Sequence, residues 1–334
     1  MPMLTPSAVH VDTPLTNLTI AYLQDQGGFI ADKVFPRVPV EKKTNKYFIY
    51  NRADFNRVGQ VQLRAPRTKA PVVGMSLSQD TYSAEVYSLA TNFDFETLSN
   101  ADAALDIRSA GAQMLTYQLL IDREIKWATK YFSASVWGTD WAGVSSAPST
   151  NQVRQWSDYT NSTPIQDVTA IMQAIQLKSG GFKPNVMVVG KQVRDKLINH
   201  TDILGRLNGG ATVTNTALVT DAKLAEIFGV EEFLVMETVK NTAAEGLTES
   251  NAFIGGKSAA FYYRPKAAGL MVPSAGYTFT WNENNASGYG IDIRSYTGDF
   301  LRVEGIAELL EANLAYDQKV VSTDLGGFIT TVIA

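Results

Sequence analysis

Between Asn100 and Phe132 the sequence keeps a spacing of threes and fours: Ile107, Gly111, Met114, Gln118, Ile121, Ile125, Ala128 and Phe132 fall in one row. That spacing predicts a single α-helix, capped by Asn100 or Asp102. About thirty residues at 1.5 Å each make a rod of roughly 45 Å. A helix of that length is the backbone of a domain rather than a connector. Gly111, one turn into the row, marks either a point of bending or a close approach to a strand.

The segments before this helix cannot fold by themselves. In residues 1–38, Asp12-Thr13-Pro14 signals a helix start, Leu15, Leu18, Tyr22 and Leu23 form one apolar stripe, and Gly27-Gly28 ends it. An isolated helix this short is marginal in water, so this arm needs another surface to lie on. Residues 39–85 hold two strand-like runs, 47–50 and 72–87, separated by about 20 polar, proline-punctuated residues. They predict a long hairpin, an extended loop. Loops of this length tend to be functional, and a lone two-stranded hairpin is marginal in water.

Charge separates these segments from the rest. The chain carries a net −4, yet from Lys33 to Ala70 ten basic residues face only Glu41 and Asp54, a net +8 that leaves −12 elsewhere. A basic extension on an acidic body predicts that one copy's arm and loop lie on another copy. The candidate interface residues are Leu15, Leu18, Tyr22 and Leu23 in the arm and Arg52, Arg57, Arg64, Arg67 and Lys69 in the loop. Arginines interleaved with Tyr50 and Phe55 suit a groove that follows a nucleic-acid strand. A pI near 5.4 is the reverse of a dedicated binder, which leaves only non-specific contact.

Past the long helix, residues 137–163 are polar with embedded tryptophans and read as a loop or a boundary. Pro164 opens a helix with Val168, Ile171, Met172 and Ile175 on one face, ended by Gly180-Gly181. An alternating block follows: strand 185–189, helix 191–199, helix 217–228 and strand 232–236. Strands then dominate, at 252–254, 259–263, 277–281, 289–296, 300–311 and 328–333. No fixed-period repeat appears. The class is α+β.

Catalytic chemistry is thinly supplied. The absence of cysteine excludes disulfides, thiol catalysis and cysteine-ligated metals. The two histidines, His10 and His200, give no metal pair and no obvious triad base; His200 ends a helix, where its charge would complement the dipole. Gly255-Gly256-Lys257-Ser258 ends like a phosphate-binding loop, but Asn251 stands where that loop needs glycine, and a strand rather than a helix follows. A glycine turn between strands is the better reading. Gly74-Met75-Ser76-Leu77-Ser78 lacks the last glycine of a nucleophile elbow. Asp94 and Glu96, on one face of a strand, would suit a carboxylate-dependent hydrolase, the reading from another class. No cofactor or metal is expected. No run approaches a membrane span, and the first residues lack the pattern of a secretory leader.

The order of these features resembles the tailed-bacteriophage major capsid proteins of the Hong Kong 97-type fold. Phe93-Asp94-Phe95-Glu96-Thr97 before the long helix looks like the entry to that family's spine helix, with the arm and extended loop ahead of it. Trp156-Ser157-Asp158-Tyr159, then Ser162-Thr163-Pro164-Ile165 and Asp167, resembles the entry to its axial domain. The run Gly181 to Gly190, with Leu197 and His200-Thr201-Asp202-Ile203, and Leu224 to Val230 before a strand, are similar to its recurring strand–helix units. The resemblance implies an arm (1–38), an extended loop (39–85), a peripheral domain (86–160 and 300–334) and an axial domain (161–299). It further implies a non-enzymatic shell subunit that assembles into hexamers and pentamers of an icosahedral virion around double-stranded DNA, in the host cytoplasm and without a membrane. Because the chain begins at Met1 with the arm, a separate scaffold protein is expected, with a portal and a decoration protein as further partners. An encapsulin-type nanocompartment is the rival within the same fold.

Overall fold

The computed structural model describes residues 28–100, 107–207, 219–244, 246–268, 272–281, 291–297 and 306–334. Leu15, Leu18, Tyr22, Leu23 and the candidate cap Asp102 lie outside the described residues. In chain order the first elements are α1 (Ala31–Val34), β1 (Arg37–Val40), β2 (Thr44–Tyr50), α2 (Arg52–Phe55), β3 (Leu77–Ser83), β4 (Glu85–Asp94), α3 (Phe95–Asn100) and α4 (Ile107–Tyr131). Next come β5 (Thr139–Val144), β6 (Gln152–Arg154), α5 (Pro164–Ser179), β7 (Val186–Gly190), α6 (Lys191–Ile198), α7 (Thr201–Leu207), α8 (Asp221–Phe228) and β8 (Glu232–Met236). The last are β9 (Val239–Asn241), β10 (Asn251–Phe253), β11 (Ala259–Tyr262), β12 (Gly276–Trp281), β13 (Asp292–Tyr296), β14 (Ile306–Val320), a 3₁₀ turn (Thr323–Leu325) and β15 (Gly326–Thr330).

Helix α4 is the long rod, about 37 Å over its described length. Its buried row is not the one spacing alone selects. Met114 and Gln118 face outward, and the covered face runs Ile107, Gly111, Leu115, Leu119, then Arg123, Glu124, Trp127, Ala128 and Tyr131. Steps of four follow the sheet beneath, and the two charged residues in the row break the hydropathy pattern that would have revealed it. Gly111 is a contact point: a Cβ built on it would lie 2.8 Å from Cζ of Phe93.

The sheet beneath α4 is organised by β14, which carries β4 along one edge and β12 and β13 along the other, with β1 parallel to β12. Phe93, Leu310, Ala312, Leu314 and Tyr316 meet Ile107, Leu115 and Leu119 of α4 in one core. β14 runs nine residues beyond the end expected at 311: β4 pairs with it as far as Tyr316, and β12 pairs with it from Tyr316 to Val320.

The second sheet has the order β6-β5-β15-β11-β7-β8. Every residue of β7 is buried, as its unbroken apolar run Val186-Met187-Val188-Val189 requires of a strand covered on both faces. Helices α5, α6 and α8 pack one face; α1 and the end of α4 pack the other. One expectation fails here. Residues 137–163 are not simply a loop: β5 and β6 lie in them, with Trp137 and Trp156 buried. The last two strands divide between the sheets: β14 belongs to the first, whereas β15 lies between β11 and β5 in the second. The stop at Gly180 is as read, and Gly229 closes α8 in the same way, both glycines being left-handed.

Candidate subunit-interface site

Strands β2 and β3 pair antiparallel from Thr44↔Ser83 to Tyr50↔Leu77, forming the expected hairpin. Its root is aromatic. Tyr82 stacks on Phe279 of β12 with ring centres 4.6 Å apart, and Tyr47 packs on the same ring at 5.5 Å. Tyr47 also donates to Asp80 at 2.8 Å, which ties the two strands together.

The connection 51–76 is held closed at its base. Asn51 Oδ1 accepts from Ala53 N at 3.0 Å and so caps α2. Asp54 accepts from the Ser76 hydroxyl and from Ser76 N, and these two bonds hold its pKa below the usual carboxylate value. Arg57 pairs with Asp54 at 3.2 Å. Arg52 instead reaches the body, at 2.8 Å from Asp324, and Asn56 meets the Gly180 carbonyl at 3.5 Å. Beyond the base nothing covers the chain. Residues 61–81 are all exposed, with Arg64 turned back onto the Thr68 carbonyl, Arg67 in a left-handed turn at φ 64°, and Lys69 beside them. The five loop candidates thus divide: Arg52 on the body's edge, the other four along the projecting loop.

Polarity alone misdescribed this loop. Among the described residues, ten of the nineteen exposed large apolar side chains fall between Phe48 and Leu77. Val58, Val61, Leu63 and Val72 are each at least 95% exposed. Those valines and the leucine were legible in the sequence, but scattered among arginines and prolines they formed no periodic face. A projecting segment that combines apolar side chains with a net positive charge has the composition of a binding surface, not of a solvated loop.

At the arm's root, α1 is seated on α4. Glu124 accepts from Ile30 N at 3.1 Å and from Ala31 N at 3.0 Å. Arg123 pairs with Asp32, which also pairs with Arg37 of β1. Burial pushes the Glu124 carboxyl up to about 7.

The catalytic alternatives do not assemble. Asp94 does not share a strand face with Glu96: it ends β4 and accepts from Thr97 N at 2.5 Å, while Glu96 lies in the first turn of α3. Asp94 therefore works as a helix cap, and its bonds to Thr97 lower its pKa. His200 is fully buried between α6 and α7, not a charged helix terminus. Its Nδ1 accepts from Asp202 N at 3.1 Å, so Nε2 carries the proton and donates to Ser162 Oγ at 2.8 Å. Ser162 in turn donates to the Asp158 carbonyl at 2.6 Å. The protons run the wrong way for a base activating a serine; burial also lowers the His200 pKa. Gly255 and Gly256 form a turn before β11, and Lys257 donates to the Ala334 carbonyl at 2.8 Å. No cluster of three or more metal-binding side chains occurs among the described residues, and none of their helices is long and apolar enough to cross a membrane.

No protein-family model matches the chain. The major capsid protein of Pseudomonas phage JBD67 is 27% identical over 329 residues, 97% of either chain. Among solved structures, a phage-related protein from Bordetella bronchiseptica RB50 superposes with a TM-score of 0.66 at 18% identity, covering 92% of this chain and 94% of that one. The capsid protein of cyanophage P-SCSP1u gives 0.61 at 11% identity, with 96% and 92% covered. The SrpI encapsulin of Synechococcus elongatus PCC 7942 gives 0.57 at 9% identity, with 97% and 93% covered. Spine helix, arm root, projecting hairpin and two sheets thus define the Hong Kong 97-type fold. Its sequence relationship runs to the phage side of that fold, to the JBD67 major capsid protein.

Proposed function

We propose that copies of this chain form the hexamers and pentamers of an icosahedral head that encloses double-stranded DNA, and that the extended loop is the main device by which one copy grips the next. The carrying observation is the loop itself: a net-positive segment whose large apolar side chains stand almost wholly in solvent, on a body of opposite charge. Burying those side chains against a neighbour supplies the hydrophobic term, at about 25 cal/mol per Å² removed from water, and the arginines supply register and steering. The arm residues Leu15, Leu18, Tyr22 and Leu23 form the second part of the same interface. The division into arm, extended loop, peripheral and axial domains follows that of the fold.

In this reading the protein has no catalytic role. Assembly takes place in the host cytoplasm with a separate scaffold protein, a portal and a decoration protein, and contact with the packaged DNA is non-specific. The relationship to the JBD67 protein favours a genome over the enzyme cargo of an encapsulin.

The test is the triple substitution Arg57→Glu, Arg64→Glu and Arg67→Glu. The expected product is a folded, soluble subunit that sediments as small species under conditions in which the wild-type chain forms shells. Wild-type assembly should also weaken toward molar salt, where the screening length drops to about 3 Å. Shells of unchanged yield from the triple variant would remove the loop from the interface.

A further inference from the structure

The second sheet ends on a strand whose outer side is bare. β8 is last in the order β6-β5-β15-β11-β7-β8 and pairs in parallel with β7. In such a ladder each residue sends both backbone groups to one side. Glu232 N donates to Asn185 O, so Glu232, Leu234 and Met236 face β7, while Phe233 and Val235 direct their N–H and C=O outward. Those four groups bond to nothing among the described residues. Edge strands are usually blunted by shortness, charge or proline. β6, at the sheet's other end, is three residues long. β8 instead runs Phe233-Leu234-Val235-Met236 with no charge, proline or bulge. A groove of about 480 Å³ lies along it, where Ala222 and Ala225 of α8 leave room for side chains. Arg264 pairs with Glu232 and Arg194 with Asp221, which leaves Glu231 at the groove exposed and without an ion pair among the described residues.

We propose that a second copy fills this groove: Gln60–Arg64 of its loop add to β8 as an antiparallel strand. This rests on the loop being the grip between copies, and it names the place gripped. The segment has the same deficiency as the edge. Residues 60–64 lie outside any helix or strand, and their backbone groups bond to nothing among the described residues. Val61 and Leu63 flank Gln62, so in an extended chain both fall on one side, and both stand wholly in solvent. Phe233, Val235 and Ala225 belong to one apolar cluster under α8. With Val61 opposite Val235 and Leu63 opposite Phe233, the two loop side chains extend that cluster. The outward groups of Phe233 and Val235 then meet those of Leu63 and Val61 in four hydrogen bonds. Charge sets the direction. Arg64, turned onto the Thr68 carbonyl in its own chain, comes opposite Glu232 and next to Glu231. β4, outermost in the first sheet, is longer, but beyond Val86 its uncovered face carries Ser88, Ala90 and Asn92, which give Val61 and Leu63 nothing to pack on.

The chain has no cysteine, so an introduced pair reports alone. In this register Gln62 and Leu234 form a non-hydrogen-bonded pair with Cα atoms about 4.5 Å apart, within reach of a disulfide. Shells of full-length Gln62→Cys/Leu234→Cys, oxidised and run on a denaturing gel, should give a ladder of covalent multimers that reductant collapses. Gln62→Cys/Ser88→Cys, aimed at β4, should give no ladder. Val235→Pro removes one outward N–H and leaves the β7 ladder intact, so the subunit should fold but form shells only at a concentration on the order of tenfold higher. Val235→Ala keeps the N–H and should assemble near the wild-type concentration. Wild-type assembly by Val235→Pro, or Gln62→Cys/Leu234→Cys shells without the ladder, would overturn the strand addition. A ladder from the Ser88 pair would move the grip to the first sheet and leave the loop reading standing, whereas unchanged shells from the triple-glutamate chain would remove the loop altogether. Where Val235→Pro fails to fold, the cysteine ladder decides.

Discussion

Replacing Gly111 with alanine tests how the spine helix meets its sheet. The new methyl would sit 2.8 Å from Cζ of Phe93 and 3.4 Å from Cγ2 of Thr91, both on β4. The first distance is shorter than carbon atoms tolerate, and Phe93 belongs to the core formed by α4 and β14, so its ring has little room to retreat. Forcing a methyl into such a core costs about 1–3 kcal/mol. Alanine returns about 0.5–1 kcal/mol of helix propensity, so the net destabilisation should be roughly 0.5–2 kcal/mol. The decisive background is Phe93→Leu, which removes the ring's far edge. There the clash disappears and Gly111→Ala should become stabilising by about 0.5–1 kcal/mol. Urea unfolding of the four species, made in the assembly-defective triple-glutamate chain, gives a coupling of about 1–3 kcal/mol. Equal destabilisation in both backgrounds would refute close packing as the reason for the glycine and return the bending role to consideration.

Other consequences concern buried groups elsewhere. Asp167, raised to about 6 by burial although Trp156 Nε1 donates to it at 3.0 Å, contributes stability present below 3.8 and lost as pH rises through 6; Asp167→Asn should flatten thermal stability between those values. His200 has the opposite sign: burial lowers its pKa, so its contribution is intact above the ordinary 6.5 and declines as the medium turns acid, a decline that His200→Gln should lack when melting is followed by calorimetry. Gly326→Ala would drive a methyl to 2.1 Å from Cε3 of the buried Trp137, and a cost of about 3 kcal/mol or more should appear as insoluble expression.

The long helix, the hairpin and both glycine-capped helices could be read from the sequence because local signals determine them: period, turn residues, left-handed glycines. Residues 232–236 formed the strand that their pattern gave. The failures have non-local causes. Arg123 and Glu124 look like surface residues by type and are buried because α1 arrives from ninety residues away to pair with them. β5 lies in a polar stretch and is a strand only because β15, from the far end of the chain, pairs with it in parallel. Gly143 makes that dependence concrete, since a Cβ there would collide with the Thr331 carbonyl. At the candidate interface, charge revealed the loop but not its apolar half; Val58, Val61, Leu63 and Val72 follow no period, and only their exposure in the folded chain sets them apart.

The most direct measurement of the central claim is cryo-electron microscopy of the purified full-length chain. The account predicts closed shells built from hexamers and pentamers, with density for residues 51–76 of one copy lying on the body of its neighbour and Val58, Val61 and Leu63 covered there. A chain that remains monomeric at high concentration, or a shell in which those side chains still face solvent, would contradict it.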